Sequence, residues 1–323
     1  MTKQVYDAEF ERKISEYFDA VLPDKIFDAH VHIMREFAKR TGYNGETYDQ
    51  FREFTKKYIS RDLTGAMVMP QVSSNHTEET LNDDNRYNLK ITKEHNHSAG
   101  LIIRPGCGRD KTEKLLDENP QIKVLKPYLV YAEGVENVEE ADISTFATEW
   151  MWELANDREM PLLLHLSHFV DGLSHPANIS EIKYFCKKYP RVKLVLAHCA
   201  MGHNIPKLKW GLEEIKGLDN IWFDSSGAGE ALASIYCIKY FGVDKLMYGG
   251  DFEFATIFGR IVSYGSTFKS VRPTEELDNN SFYRPLNNGQ ETLLSLLQAI
   301  EVLELSASDR EKIFYNNATE IYG

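Results

Sequence analysis

The chain has 323 residues, 42% of them hydrophobic and 27% charged, enough to bury a large core and within reach of one α/β barrel of about 250 residues plus insertions. Its net charge of −12 argues against nucleic acid or an anionic membrane surface as the main partner, because both demand a basic face. No apolar run reaches the roughly 20 residues of a transmembrane helix, and the polar N-terminal stretch lacks a secretory apolar region. The four cysteines (Cys107, Cys186, Cys199 and Cys237) form no CxxC pair, so reduced thiols in a cytoplasmic protein are expected.

In chain order, residues 1–24 read as a helical lead-in. The segment KIFDAHVHI (25–33) reads as the first strand, followed by an insertion at 34–63 rich in aromatic and charged residues. Seven more short apolar runs follow, at 65–71, 100–105, 122–128, 161–167, 192–199, 220–226 and 244–251. They are continuous rather than alternating, as strands buried on both faces are. Between them lie helical patterns such as Glu78–His97, Val138–Glu159, Asn178–Tyr189, Pro206–Lys216 and Gly229–Phe241. Beyond the eighth run come a long loop at about 264–288 and two C-terminal helices. The alternation predicts a (β/α)8 TIM-like barrel, with residues 1–323 as a single domain. An open doubly wound sheet is disfavoured, since no GxGxxG or GxxxxGK[ST] follows the first strand. The 34–63 insertion and the 264–288 loop both follow strand ends on the catalytic face, so both are candidate lids.

The strand ends carry the chemistry. His30 and His32 end the first run, Arg104 the third, Lys126 the fourth, His165 the fifth, His198 the sixth and Asp251 the eighth. In a parallel barrel these ends converge on one mouth. His30 and His32, two apart, point to the same face of a strand. Imidazole and carboxylate suit a divalent zinc, manganese or iron centre. A guanidinium at Arg104 can hold a carboxylate, or equally pair with a rim Asp or Glu. His76, Tyr128, Tyr131, His168, His203 and Glu253 are candidates for the pocket wall, while His95 and His97 receive no role.

Five segments, in order, resemble the amidohydrolase superfamily and its amidohydrolase-related (amidohydrolase-2) branch of metal-dependent hydrolases and decarboxylases. FDAHVHI resembles the D-x-H-x-H of its first strand, and LLLH (162–165) its fifth-strand histidine. HPANISEIKYFCKKYPRVKLVLAHCAMG (175–202) is similar to the helix and sixth strand ending in A-H-x-G-G. LMYGGDFEF (246–254) resembles G-S-D, and FYNNATEIYG (314–323) the closing N-A motif. Two departures stand out: HCAMG carries side chains where the family has glycine, and GGDFEF places Glu253 and no proline beside the aspartate.

The resemblance implies one divalent metal, zinc before manganese, on His30, His32, His165 and Asp251. Asp251 would also take the proton of an attacking water, and His198 would act as electrophile or general acid. Lys126 and Arg104 would meet a substrate carboxylate. A second metal bridged by a carboxylated Lys126 is the rarer arrangement. The expected reaction is hydrolysis of a small carboxylate-bearing lactone, amide or ester. Non-oxidative decarboxylation of an aromatic or unsaturated acid is the alternative. The expected partner is a small-molecule substrate, with a homodimer suggested by the family alone.

Overall fold

The computed structural model describes residues 8–34, 47–59, 61–272 and 286–323. Eight parallel strands run in sequence order: β1 (Phe27–Ile33), β2 (Gly65–Pro70), β3 (Ser98–Ile103), β4 (Ile122–Pro127), β5 (Pro161–Leu164), β6 (Lys193–Leu196), β7 (Ile221–Asp224) and β8 (Leu246–Met247). Closure onto β1 runs through the segment after β8. Ala29 N donates to Tyr248 O, Asp251 N to His30 O, and His32 N to Phe252 O. The expected (β/α)8 barrel is the observed fold.

Strands covered on both faces explain the continuous apolar runs. Met67, Ile102, Val124, Leu163, Val195 and Met247 pack together inside the barrel with Phe27 and Ala29. Their sequence neighbours Leu101, Leu125, Leu162, Leu194 and Leu196 pack outward under the helices. This alternation would send His30 outward after Ala29. The β1–β2 register shifts between Asp28 and Val31, however, and a bulge of this kind re-aims the side chains that follow it. His30 and His32 therefore turn to the mouth of the barrel.

Three expectations change. Val138–Glu159 is not one helix. A 3-10 turn at Val138–Glu140 and a short helix at Ile143–Phe146 precede the main helix, Glu149–Arg158. Asp142 and Thr148 adopt extended backbone and restart the chain as N-cap residues, without a side-chain cap hydrogen bond. The 264–288 stretch is not simply a loop. It begins inside an antiparallel hairpin, β9 (Arg260–Tyr264) with β10 (Thr267–Val271), turned at Gly265 with φ 58°. Residues 273–285 of that stretch, and residues 35–46 and 60 of the other candidate lid, lie outside the described residues. The described part of that lid, the helix Thr47–Ile59, lays Phe51 and Phe54 against Phe252 and does not line the mouth. Among the described residues no helix is long and apolar enough to cross a membrane.

Candidate metal centre

At the C-terminal mouth the strands surround a cavity of about 370 Å³. Its floor and one side hold His30, His32, His165, His198 and Asp251, and Phe169, Phe254, Ile261 and Phe268 supply apolar wall. Of the other wall candidates, Tyr128, His203 and Glu253 line it. His76 and Tyr131 bond to each other instead at 2.7 Å, and His168 stacks on His175.

The hydrogen bonds fix which nitrogens are free. His30 Nδ1 donates to Asp224 Oδ2 at 2.9 Å, and His32 Nδ1 donates to the Pro70 carbonyl at 2.8 Å. In the neutral tautomers both Nε2 atoms then carry lone pairs, and these face each other 3.2 Å apart. Asp251 Oδ1 lies 3.8 Å from His30 Nε2. His30, His32 and Asp251 are the group of described residues whose ligand atoms converge closely enough for one ion. Burial first, then the charges of His30 and Lys126, hold His32 well below the ordinary histidine pKa, so it is a neutral ligand. Two lone pairs 3.2 Å apart have the spacing of two ligands on one ion at about 2.0–2.1 Å. The donor set fits a divalent metal.

His198 belongs to a second pair. Its Nδ1 contacts the Ser226 carbonyl at 3.0 Å and the Ser226 hydroxyl at 2.8 Å. That hydroxyl gives its proton to Asp224 Oδ1, so His198 Nδ1 is the donor. His198 Nε2, 3.0 Å from His165 Nδ1, therefore accepts, and His165 is left with a lone pair on Nε2. His165 joins the cluster through His198 rather than by direct convergence, and burial and His198 lower its pKa well below the ordinary value.

One residue that organises this network escaped the sequence reading. Asp224, at the end of β7, accepts from His30 Nδ1, His198 N, Ser226 N and Ser226 Oγ. Burial alone would raise its pKa, but His30 and His198 outweigh burial and hold it below the ordinary carboxylate range. Its place at a strand end was the available signal. Asp28 faces away from the mouth and accepts from Gly250 N and His30 N. Burial raises it to about 7 despite those bonds.

His198 also opens an unusual turn. His198, Cys199, Ala200 and Met201 have φ of 58°, 49°, 60° and 56°, the left-handed region that disfavours side chains. This is the HCAMG segment, where the resemblance leads one to expect glycine.

Lys126 and Arg104 do not reach the cavity as expected. Lys126 is 0% exposed, its Nζ has no hydrogen-bond partner among the described residues, and the ring of Tyr128 lies 5.4 Å away. Burial lowers its amine to about 8, and its charge in turn lowers His32, His165 and His198. Arg104 is absent from the lining and pairs with Glu78 at 3.7 Å, a rim ion pair.

Comparison with known proteins agrees with the fold. No curated protein matches the sequence. Solved structures that share the fold include the following three. An amidohydrolase from Burkholderia multivorans with bound zinc has 12% identity over 92% of this chain and 99% of that one, with TM-score 0.59. A 4-oxalomesaconate hydratase from Rhodopseudomonas palustris has 14% identity over 92% and 95%, with TM-score 0.59. A dihydroxybenzoic acid decarboxylase from Polaromonas sp. JS666, with bound manganese and 2-nitroresorcinol, has 12% identity over 93% and 97%, with TM-score 0.56. The family model described as amidohydrolase matches residues 134–323, and the chain belongs to that family.

Proposed function

We propose that this protein is a metal-dependent hydrolase of a small lactone, amide or ester, with one divalent ion on His30, His32, His165 and Asp251, zinc before manganese. The observation that carries this reading is the pair of facing lone pairs on His30 and His32, 3.2 Å apart beside Asp251 on the cavity floor. A divalent ion held there would supply Lewis acidity and make water acidic enough to act as a nucleophile near neutral pH.

The remaining steps belong to side chains. An Asp251 carboxylate oxygen accepts the proton of the attacking water. His198 Nδ1, 3.9 Å from Asp251 Oδ2, stays anchored on Ser226. For His198 to act as general acid, its Nε2 would exchange the bond from His165 Nδ1 for the proton that Asp251 took from the water, and pass that proton to the leaving group. Asp224 bonds the His198 backbone N–H and the Ser226 hydroxyl rather than the ring, and its charge favours the imidazolium while the proton is held. The carboxylate once expected on the substrate loses its support from Arg104, which is already paired with Glu78.

Decarboxylation of an aromatic acid is the second reading. It is favoured by the flat apolar wall of Phe169, Phe254 and Phe268 and by the Polaromonas relative, which is named for that reaction. A homodimer and a cytoplasmic location complete the proposal. Light scattering tests the first, and fractionation tests the second.

The experiment is metal analysis on protein purified without chelator, beside a His30→Ala/His32→Ala variant. Turnover of lactones, amides, esters and aromatic acids is followed in parallel. One equivalent of metal, lost in the variant together with ester or lactone turnover, supports hydrolysis. Carbon dioxide release in place of hydrolysis moves the reading to the lyase. Protein that neither retains nor takes up a divalent ion sinks both.

A further inference from the structure

His203 follows the left-handed turn and is held from both sides. Its backbone N–H donates to Met201 O. The next residue, Asn204, donates from Nδ2 to the carbonyls of Gly265 and Thr267 in the β9–β10 hairpin. The ring is 8% exposed and lines the cavity, with its centroid 5.1 Å from that of Phe268 and 6.3 Å from that of His198. Neither ring nitrogen has a hydrogen-bond partner among the described residues, and Nδ1 is fully buried in that state. Nδ1 is out of a cavity ligand's reach, whereas Nε2 keeps accessible surface without a partner among the described residues, so Nε2 is the nitrogen that a ligand in the cavity would meet.

Gly227 shows where that ligand would sit. A Cβ on Gly227 would lie 3.5 Å from His198 Nδ1, 3.8 Å from Asp251 Oδ2 and 4.0 Å from His203 Cε1. The missing side chain leaves one space that touches all three residues. Burial, reinforced by His198, lowers His203 to about 3, so the ring is neutral and its Nε2 donates or accepts according to tautomer.

Resting on the metal-dependent reading above, we propose that His203 anchors an uncharged hydrogen-bonding group of the substrate. An amide, hydroxyl or carbonyl would bond to the imidazole. The flat apolar part would lie along Phe268, and the reacting centre would sit over Gly227 between His203 and the His198–Asp251 pair. The substrate class is a small ring-bearing molecule whose contact with this wall is neutral.

The test is calorimetric titration with benzamide, on zinc-loaded and on zinc-free protein, for the wild type, His203→Leu and His203→Gln. Benzamide should bind the wild type and lose at least about fivefold in affinity in His203→Leu. His203→Gln, which keeps a donor and an acceptor, should stay within about threefold. The thermal midpoint of His203→Leu should match or exceed that of the wild type, because no internal hydrogen bond is lost; a histidine with a purely structural bond would lower it. Equal benzamide affinity in the wild type and the Leu variant overturns the assignment, as does the absence of benzamide binding to the wild type. Failure to load zinc would sink the metal reading, while the His203 comparison would still be read on zinc-free protein.

Discussion

The Nε2 atoms of His30 and His32 face each other at 3.2 Å, and each ring's proton is already committed elsewhere, to Asp224 and to the Pro70 carbonyl. Two lone pairs held this close repel unless a cation or a shared proton lies between them. Zinc should therefore stabilise the fold by mass action. At a free concentration a thousandfold above its dissociation constant the gain is about 4 kcal/mol. Scanning fluorimetry with and without zinc reads this as a rise in the unfolding midpoint, absent in His30→Ala/His32→Ala. An equal rise in both proteins would place zinc elsewhere.

Asp224 ties the two histidine pairs together. It receives His30 from one side and the His198 backbone from the other, and a carboxylate behind a ligating imidazole fixes its tautomer and raises its basicity. Asp224→Asn keeps the volume but replaces one acceptor oxygen with a donor amide. Zinc affinity, measured by competition with a chromophoric chelator, should fall by about 10- to 100-fold. Asp219→Asn, a change at an exposed residue before β7, should leave it unchanged.

The left-handed turn makes a prediction about backbone rather than chemistry. Ala200 sits at φ 60° and is fully buried. Ala200→Gly relieves a strain of about 1–2 kcal/mol but gives up a buried methyl and gains chain entropy in the unfolded state. These terms nearly cancel, so urea midpoints should differ by less than about 1 kcal/mol. Ala200→Val adds a β-branch in the same backbone region and crowds a packed site. It should lose about 2 kcal/mol or more. If the Val variant matches the Gly variant, the turn is not left-handed in solution.

Most of the barrel and much of its mouth were legible because they follow local rules. Two-sided burial writes continuous apolar strands, and the strand ends mark the mouth, so His30, His32, His165, His198 and Asp251 could be assembled from sequence. What was missed depends on geometry that sequence period does not record. The bulge in β1 is one such feature, because His30 and His32 keep their spacing of two whether or not Asp28 shifts register. The hairpin at 260–271 was hidden behind a Gly-Ser turn read as part of a loop. Arg104 and Lys126 were placed at the correct strand ends, but only packing decides whether a long cation reaches the cavity, a rim carboxylate or the space beneath the floor.

Lys126 supplies the sharpest separation of stability from function. Its ammonium is buried without a hydrogen-bond partner among the described residues, with Tyr128 as a weak face-on neighbour. Even with the amine lowered to about 8, it remains mostly charged at pH 7. A buried charge without a hydrogen bond is expensive, the carboxylates of Asp224 and Asp251 offset only part of the cost of burial, and replacing such a group by an apolar one of similar length can be neutral or stabilising. Lys126→Met should therefore raise the unfolding free energy at pH 7 by about 1–3 kcal/mol, read from urea denaturation of metal-free protein. Turnover should fall, because the positive charge that lowers His32, His165 and His198 has been removed. A variant that is both less stable and inactive would mean that Lys126 is held by a partner in solution. A variant that is more stable and fully active would make it a passive feature of the barrel floor.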